Sequence, residues 1–466
     1  MQEYDLVIRG GTVVTAADTV RADVGIVGEK IVAVALDLPR GTEEVDATGL
    51  LVMPGGIDSH VHLAQPSLGG PKMADGFETG TRSALAGGNT TVMPFALQPR
   101  DASLRESVMA YHKEADGQAL CDYAFHMIVT NADNTVLEQE LPALIADGYT
   151  SLKIFMTYED MVLNDREILG VLDSARRHNA LVMVHCEGYD AIRYMTERLE
   201  MEGKTAPYYH GVSRPQSVER EATHRAISHA ELAGARMMIV HVSGREPMEQ
   251  IRWAQQRGIP ILAETCTQYV SLEADDLAGL NMDESGGKYV CSPPPREKAD
   301  WEAIWEGIRT GVFRTFSSDH CPFFYEGEEG KKSAKARTSF KWVPNGIPGV
   351  AVRMPILFSE GVRKGRITVN EFVALTSTNH ARIYGLYPRK GSIAPGFDAD
   401  IVLWDAEREV TITQELMQHG ADYTPYEGME VTGWPVMTML RGRIVMRDGE
   451  VLANRGNGGF ISRAEG

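Results

Sequence analysis

The chain has 466 residues, 43% hydrophobic and 24% charged, enough apolar material for one large α/β core with a smaller partner domain. Its 46 Lys and Arg against 64 Asp and Glu leave a formal charge of −18, which excludes the clustered cationic surface that nucleic acid or an anionic membrane requires. No apolar run approaches the roughly 20 residues of a membrane-spanning helix, Met1-Gln2-Glu3-Tyr4-Asp5 lacks a secretory pattern, and five scattered cysteines form no disulfide framework, so a cytoplasmic enzyme is expected.

In chain order, residues 6–9, 12–14, 24–27 and 30–34 are β-branched runs broken by glycine, the pattern of short strands and turns. From Pro54 the texture changes to apolar strand runs alternating with amphipathic helices. Asn89-Thr90-Thr91-Val92-Met93 predicts a strand, and Ser103 with Glu106 predicts a capping box opening a helix with Leu104, Val108, Tyr111 and Ala115 on one face. Further strands are predicted at 151–155, 181–184, 237–240, 259–263 and 314–317, separated by helices at 165–178, 218–233 and 246–257. Residues 325–337, containing Gly327-Glu328-Glu329-Gly330-Lys331-Lys332, predict a solvated surface loop. Strand texture returns at 400–404, 410–412 and 436–440. Repeated βα units call for a parallel sheet closed as a (β/α)8 TIM barrel over 54–388, with a small β-sandwich built from both ends, 1–53 and 389–466.

The histidines fall in informative places. His60 and His62 are two apart after the run 51–58, which puts both imidazoles on one strand face. His185 and His241 each end an apolar strand, and Asp319 ends another. In a parallel barrel those positions gather at the C-terminal mouth. Four imidazoles and a carboxylate converging there predict a metal site, zinc first by ligand type. His126, His112, His178, His210, His224, His229, His380 and His419 are read as structural or surface residues, and His320 as a neighbour of the site.

Lys153 shares a strand face with Ser151 and Phe155 and is predicted to point into the barrel, where burial drives an amine toward neutrality. Two readings stay open: pairing with a nearby carboxylate, or addition of carbon dioxide to give an anionic carbamate able to bridge two cations.

Several segments together carry a family resemblance: Pro54-Gly55-Gly56-Ile57-Asp58-Ser59-His60-Val61-His62, Ser151-Leu152-Lys153-Ile154-Phe155-Met156-Thr157-Tyr158, Val184-His185-Cys186-Glu187, Ile239-Val240-His241-Val242-Ser243, Ser318-Asp319-His320-Cys321-Pro322 and Pro344-Asn345-Gly346. In order along nearly the whole chain they resemble the dihydropyrimidinase and D-hydantoinase branch of the amidohydrolase superfamily. The resemblance implies two divalent ions, zinc with manganese as the alternative. His60, His62 and Asp319 would hold one, His185 and His241 the other, and carboxylated Lys153 would bridge them. It further implies that Asp319 moves the proton, that Tyr158 donates to the developing oxyanion, and that Ser292 and Asn345 bind the ring amides largely through backbone groups. The partner would be a small cyclic amide, and the assembly a homotetramer with Asp422-Tyr423-Thr424-Pro425-Tyr426 contributing contacts.

Departures narrow the reading. Dihydroorotases carry an arginine two residues after the second histidine to pair with a substrate carboxylate, where this chain has Ala64; allantoinases differ over 64–68 as well. A wall for the ring's exocyclic substituent is expected from Gln65, Ser67, Leu68, Met73, Phe155 and Met156, more polar and smaller than in the resembling family. A cyclic-imide or allantoin hydrolase and a non-catalytic scaffold are the rival readings, and the scaffold reading suits chains that have lost these ligands.

Overall fold

A computed structural model describes residues 4–66 and 70–463; Met1 to Glu3, Ser67 and Leu68 lie outside the described residues. Its body is a ring of parallel strands: Gly56–Val61, Asn89–Leu97, a strand broken into Asp122–Tyr123 and His126–Ile128, Ser151–Phe155, Leu181–His185, Met237–Ile239, Ile261–Cys266 and Thr315–Ser317. Each bonds to the next in parallel register. The ring is nearly closed by a parallel bridge between Val61 and His320, with the His62 N–H donating to the His320 carbonyl at 2.7 Å.

Strand alternation explains why the ring is packed rather than hollow. Ile57, Met93, Phe95, Ile128, Phe155, Leu181, Met183 and Met238 form one interior cluster. Their neighbours Val92, Leu152, Ile154, Val182, Val184 and Ile239 face outward into the core shared with the helices. Lys153 therefore lies on the interior face, as its parity with Phe155 predicts. The helices Leu104–Ala115, Asp165–Arg177, Gln216–Ala233 and Arg245–Gln256 match the predicted periodicity. Asn164 and Glu167 make a full capping box on the second of these. The first differs from expectation: Ser103 caps the Glu106 N–H at 3.2 Å, but the second carboxylate comes from Glu140, which accepts from Ser103 Oγ and the Leu104 N–H at 2.7 Å each.

The two chain ends form two sheets. One runs in the order Lys30–Ala35, Asp23–Val27, Tyr4–Arg9, Gly41–Asp46; the other runs Glu450–Val451, Arg443–Arg447, Glu430–Leu440, Ile401–Thr411, Leu51–Pro54, Thr12–Val14, Thr19–Arg21. Leu6, Ile8, Val24 and Ile26 from the first share a core with Val13, Val52, Leu403 and Met439 from the second, the sandwich arrangement. The chain passes from sandwich to barrel within a residue, from Pro54 to Gly56.

Two expectations are corrected. The loop at 325–337 is not wholly solvated, because Gly330, Lys331, Ser333 and Ala336 are buried. Tyr423, Thr424, Pro425 and Tyr426 are buried within the single chain, so their side chains offer no surface to a partner; Asp422 instead accepts from the Tyr325 and Glu326 N–H groups at 2.6 and 3.0 Å. Among the described residues no helix is long and apolar enough to cross a membrane.

Candidate metal centre and substrate site

The motif 54–62 builds one wall of the site. Asp58 is fully buried and its Oδ1 accepts from the His60 and Ser318 N–H groups at 3.3 and 3.2 Å. That single carboxylate ties the first strand to the eighth and so sets His60 and His62 against Asp319. His60 Nε2 and His62 Nε2 lie 3.2 and 3.4 Å from Asp319 Oδ1. One donor atom from each of these three buried residues falls within 4.8 Å of the others, a spacing that suits a metal ion.

Three of the four imidazoles are aimed by a partner on one ring nitrogen. His60 Nδ1 lies 2.6 Å from Glu264 Oε1, His62 Nδ1 2.6 Å from Gln65 Oε1, and His185 Nε2 2.7 Å from Glu187 Oε2. An oxygen acceptor at each contact fixes the proton there and leaves the opposite nitrogen's lone pair free for a cation. Burial, then the charge of Lys153, holds His60 well below its ordinary range, and burial, then His185, does the same for His241. Both are thus neutral donors. Burial alone would raise the Asp319 carboxyl, but His60 and His62 hold it below its usual value, so it is an anion.

His185 and His241 complete the centre. Their ring centroids are 4.4 Å apart, and His241 lies 5.3 Å from His60 by the same measure. His241 Nδ1 is buried without a hydrogen-bond partner among the described residues. His241, Asp319 and Tyr158 all have left-handed backbone, φ 40°, 50° and 66°. Such strain, about 1 kcal/mol or more each, turns a side chain off the strand direction and is concentrated at functional positions.

Lys153 is 1% exposed, with Nζ 3.4 Å from His60 Nε2 and lying over the Phe95 and Phe155 rings at 5.3 and 5.2 Å. Among the described residues no carboxylate stands within ion-pair distance of it. Burial pushes its amine below the usual lysine range, although the charges of Asp319 and Glu264 act to favour its protonated form.

Beside the metal-ligand cluster, the Asn345 amide donates to Tyr158 Oη at 2.9 Å and to Ser292 Oγ at 2.7 Å, joining the three residues expected to meet substrate. Burial raises the Tyr158 phenol, which keeps its proton available to donate. Gly346 follows with φ 152°, and a Cβ there would stand 2.5 Å from the Cys321 carbonyl, so only glycine allows this approach. Phe155 and Met156 are buried, and Gln65 and Met73 line a cavity of about 840 Å³ with Leu97 and Tyr111.

A second acidic group, Asp122, Asp398 and Asp400, has the spacing of a cation site. Its cation is covalent: Lys390 Nζ sits 2.6, 3.1 and 2.5 Å from the three carboxylates, and Arg441 joins Asp122. It is an ion-pair network at the barrel–sandwich junction. Among the other histidines, His126 has both ring nitrogens engaged, by Ser151 Oγ and the Ser59 carbonyl, as a structural residue should. His320 accepts from the Gly349 N–H and contacts Asp75, steadying the segment that carries Asp319. Sequence reasoning missed Glu264, Glu187 as a histidine partner, and Glu140; a glutamate inside the apolar run Ile261–Cys266 was the available signal for Glu264.

The chain matches the model of the Amidohydrolase family over residues 51–445. It is 42% identical over 460 residues to a D-hydantoinase of Ralstonia pickettii, covering 98% of this chain and 99% of that protein. A D-hydantoinase of Geobacillus stearothermophilus is likewise 42% identical over 461 residues, covering 98% and 96%. Among solved structures, dihydropyrimidinase from Brevibacillus agri superposes with a TM-score of 0.95 at 42% identity over 98% of both chains. An L-hydantoinase from Arthrobacter aurescens gives 0.88 at 27% identity over 99% and 100%.

Proposed function

The chain belongs to the amidohydrolase family, and from that premise we propose that it hydrolyses the cyclic amide bond of hydantoins and 5,6-dihydropyrimidines, giving N-carbamoyl amino acids. The observation that carries the reading is the convergence of His60, His62, His185, His241 and Asp319 around a buried lysine with no carboxylate at ion-pair distance among the described residues. His60, His62 and Asp319 would hold one divalent ion and His185 and His241 the other, zinc with manganese as the alternative. When bound, such a pair lowers the pKa of water and polarises the scissile carbonyl.

The chain's own residues do the rest. Lys153, as its free amine, would add carbon dioxide, forming an N–C bond and releasing one proton to water, and the resulting carbamate would serve as an anionic ligand for the ions. Asp319 takes the proton from the attacking water and returns it to the leaving ring nitrogen, a base that becomes an acid. Tyr158 donates its phenolic proton in a hydrogen bond to the carbonyl oxygen as negative charge builds there. Its own lone pair is already engaged by the Asn345 amide, which sets the direction of that donation. Ser292 and Asn345 hold the ring amide through backbone groups. A cytoplasmic location, consistent with five unpaired cysteines, and a homotetrameric assembly belong to the same reading. The exposed Tyr194 and Met201 of helix Tyr189–Met201 offer apolar surface for the latter.

Steady-state turnover of the metal-loaded protein on 5-monosubstituted hydantoins, dihydrouracil, allantoin, dihydroorotate and succinimide tests the substrate class. Turnover is expected on the first two. Robust hydrolysis of another member with none on these would overturn the assignment.

A further inference from the structure

The buried part of the 325–337 loop bears directly on the substrate site. Lys331 is 1% exposed, and its Nζ donates to the Val290 carbonyl at 2.9 Å and the Pro344 carbonyl at 2.7 Å. Those carbonyls immediately precede Cys291-Ser292 on one segment and Asn345-Gly346 on the other. The two segments also meet through the Gly346 N–H, which donates to the same Val290 carbonyl at 3.1 Å, and through the Asn345 amide on Ser292 Oγ. Lys331 has no acidic partner among the described residues, and the titratable groups that face it are the Cys291 and Cys321 thiols, which burial keeps protonated. Burying an amine against carbonyls alone is unfavourable before its hydrogen bonds are counted. A residue placed there only for stability would be served better by a leucine or methionine.

We propose that Lys331 is a positioning residue for the ring-amide subsite, clamping the 290–292 and 344–346 segments at the separation that lets both engage one substrate ring. The inference rests on the reading of Ser292 and Asn345 as the residues that hold the ring amide. Lys331 touches no metal ligand in the structure, so its effect falls on substrate binding rather than on the hydrolytic step. The neighbouring Phe324 carbonyl accepts from the Lys331 N–H at 2.9 Å, which fixes the base of the side chain. The clamp is thereby anchored at both ends.

The test compares wild type, Lys331→Met and Lys331→Gln as full-length, metal-loaded enzymes on dihydrouracil and hydantoin. Loss of two charge-assisted hydrogen bonds is expected to raise KM about tenfold or more in Lys331→Met, with kcat within about threefold and metal content unchanged. Lys331→Gln keeps an N–H donor able to reach one carbonyl, so its KM is expected between the two. A Lys331→Met enzyme with wild-type KM, or with lowered kcat and unchanged KM, would overturn the proposal. If Lys331→Met does not fold, Lys331→Gln decides: a raised KM with intact metal content supports the clamp, and a wild-type KM removes it. Wild-type enzyme inactive on both rings would sink the functional reading itself and the clamp with it, an outcome distinct from an active variant with unaltered KM.

Discussion

Lys153→Ala is expected to abolish turnover and to empty at least one of the two metal positions. The side chain is enclosed by the barrel interior, 1% exposed, 3.4 Å from His60 Nε2 and, among the described residues, without a carboxylate at ion-pair distance. Removing a group that merely orients a ligand lowers metal affinity or activity by about 10- to 100-fold. Removing the anion shared by both ions goes further, because Asp319 is then the one anionic ligand left among the proposed set. The fall in kcat should therefore exceed about a thousandfold, read together with metals per chain by elemental analysis. Acetate or propionate, entering the space left by the side chain, should restore part of both. Near-normal turnover and full metal content in Lys153→Ala would show that the lysine is no bridge.

Asp319→Asn separates the proton-transfer role from mere presence of a side chain. The amide is nearly isosteric and keeps an oxygen in place, yet it accepts no proton at neutral pH. General acid–base catalysis is worth about 10²- to 10⁴-fold, and kcat should fall by at least that much. KM for dihydrouracil should change little, since ring binding is assigned to Ser292 and Asn345. The measurement is kcat and KM with metal content alongside. A variant retaining a tenth or more of wild-type kcat would place the base elsewhere, and Glu264 and Glu187, the carboxylates nearest the histidines, would be the next residues to examine.

Much of this architecture was legible in the chain because the chemistry sits where periodicity changes. A histidine or aspartate that terminates an apolar strand breaks the pattern of that strand, and independent strands doing so in a parallel barrel point to one rim. The opposite-nitrogen partners were harder to see. Gln65 and Glu187 lie within three residues of the histidines they aim, whereas Glu264 reaches His60 across 204 positions and shows only as an acid in an apolar run. Strands Thr19–Arg21 and Gly41–Asp46 escaped because they are mostly exposed edges with little apolar signal. Lys331 was masked by its neighbours: in Gly-Glu-Glu-Gly-Lys-Lys, composition describes the exposed residues and says nothing of the one that folds inward. The run at 422–426 misled in the reverse sense, since aromatic residues that suit an interface are here spent on the chain's own core.

The central claim is that paired metal ions held by these six residues make the site a cyclic amidase. Metal-free protein prepared by chelation and then titrated with zinc tests it most directly, with dihydrouracil turnover followed against bound ions per chain. No turnover is expected without metal, and a plateau is expected at two ions per chain, with the slope lost in Lys153→Ala. Full activity in the metal-free protein, or a plateau at a single ion that the lysine variant shares, would contradict it.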